Sequence, residues 1–153
     1  MGVDPGYERV GIAILERGSG KHTVIHSACL KTSAKMPFPE RLRFLGQELE
    51  NLIADYSPSA MAIEKLYFEK NQKTAMAVSE ARGMMLYIAA RANLIIEEYT
   101  PLQIKCAVTG WGRADKAQII KMIPLLALLP HVPKYDDEYD AIATAVTCLS
   151  TKQ

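Results

Sequence analysis

The chain has 153 residues, of which 49% are hydrophobic and 23% are charged, and its formal net charge is +1. This composition predicts a single globular domain over residues 1–153 with a substantial core, and it excludes a disordered chain. So small a net charge does not by itself predict nucleic-acid binding, because a basic face would have to arise from local clustering.

The elements of the first third of the chain are predicted to be strands. Alternating and β-branched segments predict strands at residues 2–4, 9–16 and 21–31. Turn residues separate these segments, namely Pro5-Gly6 and Gly18-Ser19-Gly20. Together they predict an antiparallel meander.

Helices and further strands alternate in the rest of the chain. Apolar residues at helical spacing predict helices at residues 40–56, 74–93, 100–108, 114–129 and 136–149. Buried strands are predicted at residues 60–67 and 94–99. Pro124 must kink or break the helix that contains it. This order predicts an α/β fold, with a mixed sheet flanked by helices on both faces.

Neither a targeting leader nor an apolar run of the roughly 18 residues that span a membrane is present in the sequence. Cys29, Cys106 and Cys148 are widely spaced and odd in number, which predicts buried, reduced thiols. We therefore expect a soluble cytoplasmic protein without membrane association.

Four carboxylates stand where chemistry is expected. Asp4 and Glu64 end hydrophobic strands, and Asp137 and Asp140 open the last helix, so one fold could bring them together. Grouped carboxylates repel one another unless a cation lies between them, and Mg²⁺ prefers such oxygen ligands. A pair of ions can clamp the attacking and leaving oxygens of a phosphodiester. These residues predict a metal-dependent nuclease.

Simpler explanations exist for each of these positions except Asp140, which lies beside small and apolar residues. Asp4 precedes Pro-Gly, which is ordinary turn chemistry, and Glu64 could belong to a buried ion pair. Asp136 and Asp137 could each cap the last helix or interact with its dipole.

Spacing alone leaves the helix pair open. Asp137 and Asp136 lie three and four residues before Asp140, so both share its helix face. Glu138 lies off that face and is predicted to be solvated.

Five segments, taken in order, carry a resemblance to a known family. They are Gly2-Val3-Asp4-Pro5-Gly6; Ala62-Ile63-Glu64-Lys65-Leu66-Tyr67-Phe68 with Lys70-Asn71; Ala81-Arg82-Gly83; Val108-Thr109-Gly110-Trp111-Gly112 with Ala114-Asp115-Lys116-Ala117-Gln118; and Asp137-Glu138-Tyr139-Asp140-Ala141-Ile142-Ala143. Over nearly the whole chain, this pattern resembles the RuvC family of Holliday junction resolvases.

The resemblance implies an RNase H-like fold and a homodimer that binds a four-way DNA junction and nicks two opposing strands in recombination and repair. It implies two Mg²⁺ ions per site, with Mn²⁺ as a substitute, held by Asp4, Glu64, Asp137 and Asp140. The family register selects Asp137 over Asp136. The RuvAB branch-migration complex is the implied partner.

The resemblance also implies DNA contacts. Lys116 is the implied catalytic lysine, and it lies with Lys105 near the scissile phosphate. Tyr67, with Phe68, takes the place of an aromatic residue that stacks on a base. Further phosphate contacts are expected from Lys65, Lys70, Lys73, Arg82 and Arg113. The dimer contact is assigned to the helix at 74–93, whose apolar residues Met76, Met84, Met85, Leu86 and Ile88 exceed what one sheet face needs.

Three other functions fit parts of the pattern. A YqgF-type nuclease of RNA processing shares the first aspartate but not the Gly110–Lys116 segment or the D-x-x-D helix. A non-catalytic junction-binding module would lack carboxylates, and none of the four is missing. An actin-like ATPase needs a second domain, for which 153 residues leave no room.

Overall fold

The computed structural model describes residues 1–66 and 72–151, without the side chains of residues 72 and 73. Its strands are β1 (Gly2–Asp4), β2 (Arg9–Glu16), β3 (His22–Lys31), β4 (Ala60–Glu64), β5 (Ile95–Tyr99) and β6 (Ala127–Leu128). Its helices are α1 (Phe38–Tyr56), α2 (Gln72–Arg91), α3 (Pro101–Thr109), α4 (Lys116–Leu126) and α5 (Asp136–Thr151). No helix among these residues is long and apolar enough to cross a membrane.

The strands form one mixed sheet in the order β5-β4-β1-β2-β3-β6. The β1–β2 and β2–β3 pairs are antiparallel, whereas β1–β4, β4–β5 and β3–β6 are parallel. The predicted mixed α/β fold is therefore confirmed. Because β1 and β4 are parallel neighbours, their carboxyl ends, and the residues that end them, meet at one edge of the sheet.

Each face of the sheet carries its own apolar core. Val3, Ile12 and Ile63 point to the face covered by α1 and α2. Ala13, which follows Ile12, and Ala62, which precedes Ile63, point to the opposite face, which is covered by α3, α4 and α5. This alternation follows from the two-residue period of a strand.

Two glycines let α5 approach the sheet closely. A Cβ atom added to Gly2 would lie 2.2 Å from the carbonyl oxygen of Ala141, and one added to Gly11 would lie 1.8 Å from that of Asp137. Any larger residue would push the helix away. The start of α5, with its acidic residues, is thereby held over the ends of β1 and β4.

Two elements end three residues earlier than the sequence predicts, whereas the other boundaries agree to within two residues. The strand predicted at 60–67 ends at Glu64, and the helix predicted at 114–129 runs only from Lys116 to Leu126. Asp115 caps that helix by accepting a hydrogen bond from the Gln118 backbone N–H, which fixes its start. Pro124 lacks the N–H that would continue the helical ladder, and two residues later the chain leaves the helix and pairs with β3 as β6.

Candidate active site

Strand register places two of the four carboxylates side by side. Gly2 pairs with Ala62 and Val3 with Ile63, so Asp4 and Glu64 follow at the same level on adjacent parallel strands. Asp140 comes from α5, which packs across both strands.

The four carboxylates lie within one another's electric field. Burial raises the pKa of Asp4 well above its ordinary value, and the charges of Asp140, Glu64 and Asp137 raise it further. Burial, followed by the charge of Asp140, raises the pKa of Glu64 to about 7. Burial is also the main cause of a raised pKa at Asp140. The site therefore disfavours full ionisation unless positive charge is supplied.

Two lysines supply part of that charge. The Lys116 ammonium pairs with the Asp140 carboxylate, and Lys116 and Lys105 both act to lower the pKa of Glu64. These groups line an open cavity of about 260 Å³. Its walls are Glu64, Pro101, Ile104, Lys105, Lys116, Ile119 and Asp140. The cavity therefore brings carboxylate groups and lysine ammonium groups together in one open space.

Asp137 interacts with more of the site carboxylates than Asp136 does. Asp136 is exposed and its charge raises the pKa of Asp140, whereas the charge of Asp137 raises the pKa of both Asp4 and Asp140. The Arg9 guanidinium donates to Asp137 Oδ2 at 3.4 Å, and the Cys29 thiol donates to the same oxygen at 3.6 Å. Burial and this carboxylate raise the pKa of Cys29 to about 11. Sequence patterns had not suggested Arg9 or Cys29, because their proximity to Asp137 arises only when β2 and β3 pair beneath α5.

The donor set suits a hard divalent cation. Within residues 1–66 and 72–151, no three Asp, Glu, His or Cys side chains are arranged to hold one ion. Asp140 and Asp137 are instead oriented toward Lys116 and Arg9. Carboxylate oxygens are the ligands that Mg²⁺ prefers, and the raised pKa values of Asp4 and Glu64 mark a need for further positive charge.

Comparison with known proteins shows the family of this chain. The family model described as crossover junction endodeoxyribonuclease RuvC matches residues 1–148. The protein of that name from Alkaliphilus metalliredigens is 47% identical over 146 residues, which cover 95% of this chain and 89% of the relative. The chain belongs to the RuvC family. Its relative from Halothermothrix orenii is 44% identical and covers 95% of this chain and 88% of the relative.

A solved structure of a RuvC protein has the same fold. The T. thermophilus RuvC in complex with a Holliday junction substrate superposes with a TM-score of 0.88 at 29% identity. The match covers 95% of this chain and 89% of that one. The resemblance inferred from the sequence motifs is thus confirmed.

The residues predicted to bind DNA fall into two groups. Lys65 and Arg113 are exposed and Lys105 is half-buried. Tyr67, Phe68 and Lys70 lie outside the described residues, as does the side chain of Lys73, and their roles stay predictions.

Arg82, which the motifs assigned to DNA, has partners within the protein. Its Nε donates to the carbonyl oxygen of Glu64 at 3.0 Å, and its guanidinium pairs with Glu98. The side chain is only 15% exposed. In this structure Arg82 therefore holds the backbone of Glu64, the last residue of β4.

Glu138 corrects the prediction that it is solvated, because it is only 4% exposed. The Ser27 hydroxyl donates to its Oε2 at 3.0 Å, and the backbone N–H groups of Lys134 and Tyr135 donate to its Oε1 at 3.1 and 3.3 Å. Glu138 thereby closes the first turn of α5 and fixes its start. The i+3 spacing from Tyr135 was the available signal, but tyrosine is not a usual capping residue.

The cysteine prediction is correct only in part. Cys29, Cys106 and Cys148 are all free thiols, but only Cys148 is buried, while Cys106 is exposed. Cys106 lies on the outer side of α3, a face that the sequence pattern did not separate from the buried one.

We predict that metal-free protein loses stability as pH rises from about 5 to 7.5. The pKa of Glu64 is higher in the folded state than in the unfolded state, so the folded state binds more protons between pH 4.5 and about 7. The stabilisation that this proton binding gives is lost as the pH rises through that range. The loss from this residue is on the order of 2–3 kcal/mol at most. Urea unfolding in EDTA across this pH range measures it.

Glu64→Gln should show a smaller decline with pH than wild type, and comparing the two cancels the titration of the histidines. Glu40→Gln, at an exposed position on α1, is the matched control and should follow wild type. If the free energy of unfolding fell equally with pH in wild type and Glu64→Gln, the pKa of Glu64 would not be raised in the folded protein.

Proposed function

We propose that this RuvC-family protein resolves four-way DNA junctions by paired, symmetric, Mg²⁺-dependent hydrolysis of phosphodiester bonds. The observation that carries the proposal is the clustering of Asp4, Glu64, Asp137 and Asp140 beside Lys116. Family membership supports it, since the relatives are named crossover junction endodeoxyribonucleases. The T. thermophilus relative was solved with a Holliday junction substrate.

Each side chain has a role in this reaction. Asp4, Glu64, Asp137 and Asp140 would hold two Mg²⁺ ions, with Mn²⁺ as a substitute. The ions would supply a lower pKa for the attacking water and charge stabilisation for the leaving 3′ oxygen. Lys116 would exchange Asp140 for a phosphate oxygen and donate to the charge that builds there. Arg9 and Arg82 would keep Asp137 and the backbone of Glu64 in position.

The other functions considered have less support. A YqgF-type nuclease is disfavoured by the RuvC match over residues 1–148. A junction-binding module without activity would not need a carboxylate cluster in which the pKa values of Asp4, Glu64 and Asp140 are raised, because that arrangement costs stability without metal. RuvAB as a partner stays a prediction from family resemblance, and the cytoplasm as the location stays a prediction from the sequence alone.

Cleavage of end-labelled junctions tests the proposal. We expect paired symmetric nicks in a four-way junction with Mg²⁺, and none in EDTA or in linear duplex. Asp4→Asn should lower the rate by more than about a hundredfold, because it removes a metal ligand. Asp55→Asn, an identical change at an exposed site on α1, should cut like wild type. Cleavage of RNA–DNA hybrid would indicate another nuclease activity, and tight binding without cutting under any metal would indicate a binding module.

We also propose that α2 forms a homodimer contact. Met85 and Ile88 belong to the core, so they are not available to a partner. Met76 is 71% exposed and Tyr87 is 64% exposed. They share one helix face with Gly83, where an added Cβ atom would meet nothing within 4 Å. A two-fold contact along this face would present two like active sites to two strands of a junction.

Charge on this face should break the dimer. We expect Met76→Glu and Tyr87→Glu to be monomeric in sedimentation or light-scattering measurements, because each would bury an unpaired carboxylate. The monomer should make single rather than paired nicks. Val132→Glu changes a residue that is 80% exposed elsewhere and should stay dimeric. If both Met76→Glu and Tyr87→Glu were still dimers, the dimer contact would lie on another surface.

A further inference from the structure

The single tryptophan of the chain is displayed to solvent. Trp111 lies between α3 and α4 and is 54% exposed. Leu102 and Cys106 of α3, which lie against Gly112 of the same loop, are exposed as well. A tryptophan side chain has a large apolar area, so leaving half of it in water forgoes substantial hydrophobic stabilisation.

The backbone of Trp111 is held firmly although its side chain is free. Its N–H donates to Thr109 Oγ1 at 3.1 Å, and its carbonyl oxygen accepts from the Thr109 hydroxyl at 3.0 Å and from the Ala114 N–H at 3.1 Å. On one side, Gly110 ends α3 with a positive φ of 74°. On the other, Asp115 caps α4. A ring on such a support loses little conformational entropy on binding.

The surroundings of Trp111 are basic and adjoin the active site. Lys105 and Lys116, which precede and follow it in the chain, line the cavity that contains Glu64 and Asp140. Arg113 is exposed two residues away. From residue 101 to 118 the sole acidic residue is Asp115, whose carboxylate accepts from the Gln118 N–H in the helix cap. The segment thus offers an aromatic ring among cations, a combination suited to a nucleic-acid strand.

Chain length bounds the distance from Trp111 to the reaction. Five residue steps separate it from Lys116, so their Cα atoms lie no more than about 18 Å apart. Bases on one strand of a duplex are about 3.4 Å apart along the axis. The Cα atom of Trp111 therefore lies within about five nucleotide spacings of that of Lys116, the residue proposed to contact the scissile phosphate.

We propose that Trp111 is a DNA-contacting residue whose indole stacks on a base near the scissile phosphate. The inference rests on the proposed function, because it takes junction DNA as the occupant of this surface. It assigns base contact to the loop between α3 and α4, in addition to the segment after Glu64. A second copy of this chain is the alternative occupant, and the three cationic residues within six positions of Trp111 in the chain disfavour it.

The tryptophan itself reports the contact. With excitation selective for tryptophan, titration of wild type with a synthetic four-way junction in EDTA should quench and shift the Trp111 emission as the junction is bound. A mobility-shift assay on the same samples measures binding independently. A shift in emission with protein concentration alone, before DNA is added, would overturn the proposal and place Trp111 in a protein contact.

Substitutions separate stacking from other roles. Trp111→Ala should weaken junction binding about tenfold or more, and Trp111→Phe should restore most of it. Trp111→Leu keeps an apolar side chain without an aromatic face and should bind like Trp111→Ala. All three should unfold at the wild-type temperature, because the side chain is largely exposed.

Three outcomes would overturn the proposal. Bound junction with unchanged Trp111 emission would show that the indole touches no base, as would wild-type affinity in Trp111→Ala. Wild-type affinity in Trp111→Leu would show that no stacking is involved. These results leave the proposed function intact, whereas the absence of any junction binding by wild type in the mobility-shift assay would defeat that function and this inference together.

Discussion

Burial raises the pKa of Asp4, Glu64 and Asp140, and the charges of neighbouring carboxylates raise each of these pKa values further. Such a cluster of carboxyl groups is stable in its ionised form only if positive charge lies among the carboxylates. Lys116 and Arg9 provide some of it through their contacts with Asp140 and Asp137. The remaining deficit is what a divalent cation would supply, so the same repulsion that costs stability in the metal-free protein would favour metal binding.

The rest of the fold holds these charges together. Parallel pairing of β1 with β4 sets Asp4 beside Glu64. Gly11 admits the backbone of Asp137 against β2, and buried Glu138 ties the first turn of α5 to Ser27 on β3. The acidic residues at the start of α5 repel the carboxylates at the ends of β1 and β4. Close backbone packing and hydrogen bonds nevertheless keep the helix in place.

Sequence reasoning could predict what depends on local pattern. Local pattern put Asp4 at the end of a strand and Glu64 at the end of an apolar run, although the strand was predicted to continue to residue 67, and the sheet confirms the mixed fold. It could not predict contacts that depend on strand pairing or helix docking, such as Arg9 with Asp137 or Arg82 with the carbonyl oxygen of Glu64. It was wrong about Glu138, because a charged residue that folds back on its own helix terminus has the same spacing as a solvated one. It also missed β6, since a two-residue strand has no pattern of its own.

The most direct test of the central claim is a calorimetric titration of Mg²⁺ into Asp137→Asn and Asp136→Asn. The substitutions are chemically identical and lie at adjacent positions, but only Asp137 acts on the pKa of Asp4. The account predicts that Asp137→Asn weakens Mg²⁺ binding by at least about tenfold, whereas Asp136→Asn binds like wild type. Equal affinities in the two variants, or a larger loss in Asp136→Asn, would contradict the assignment of the four carboxylates as the metal site.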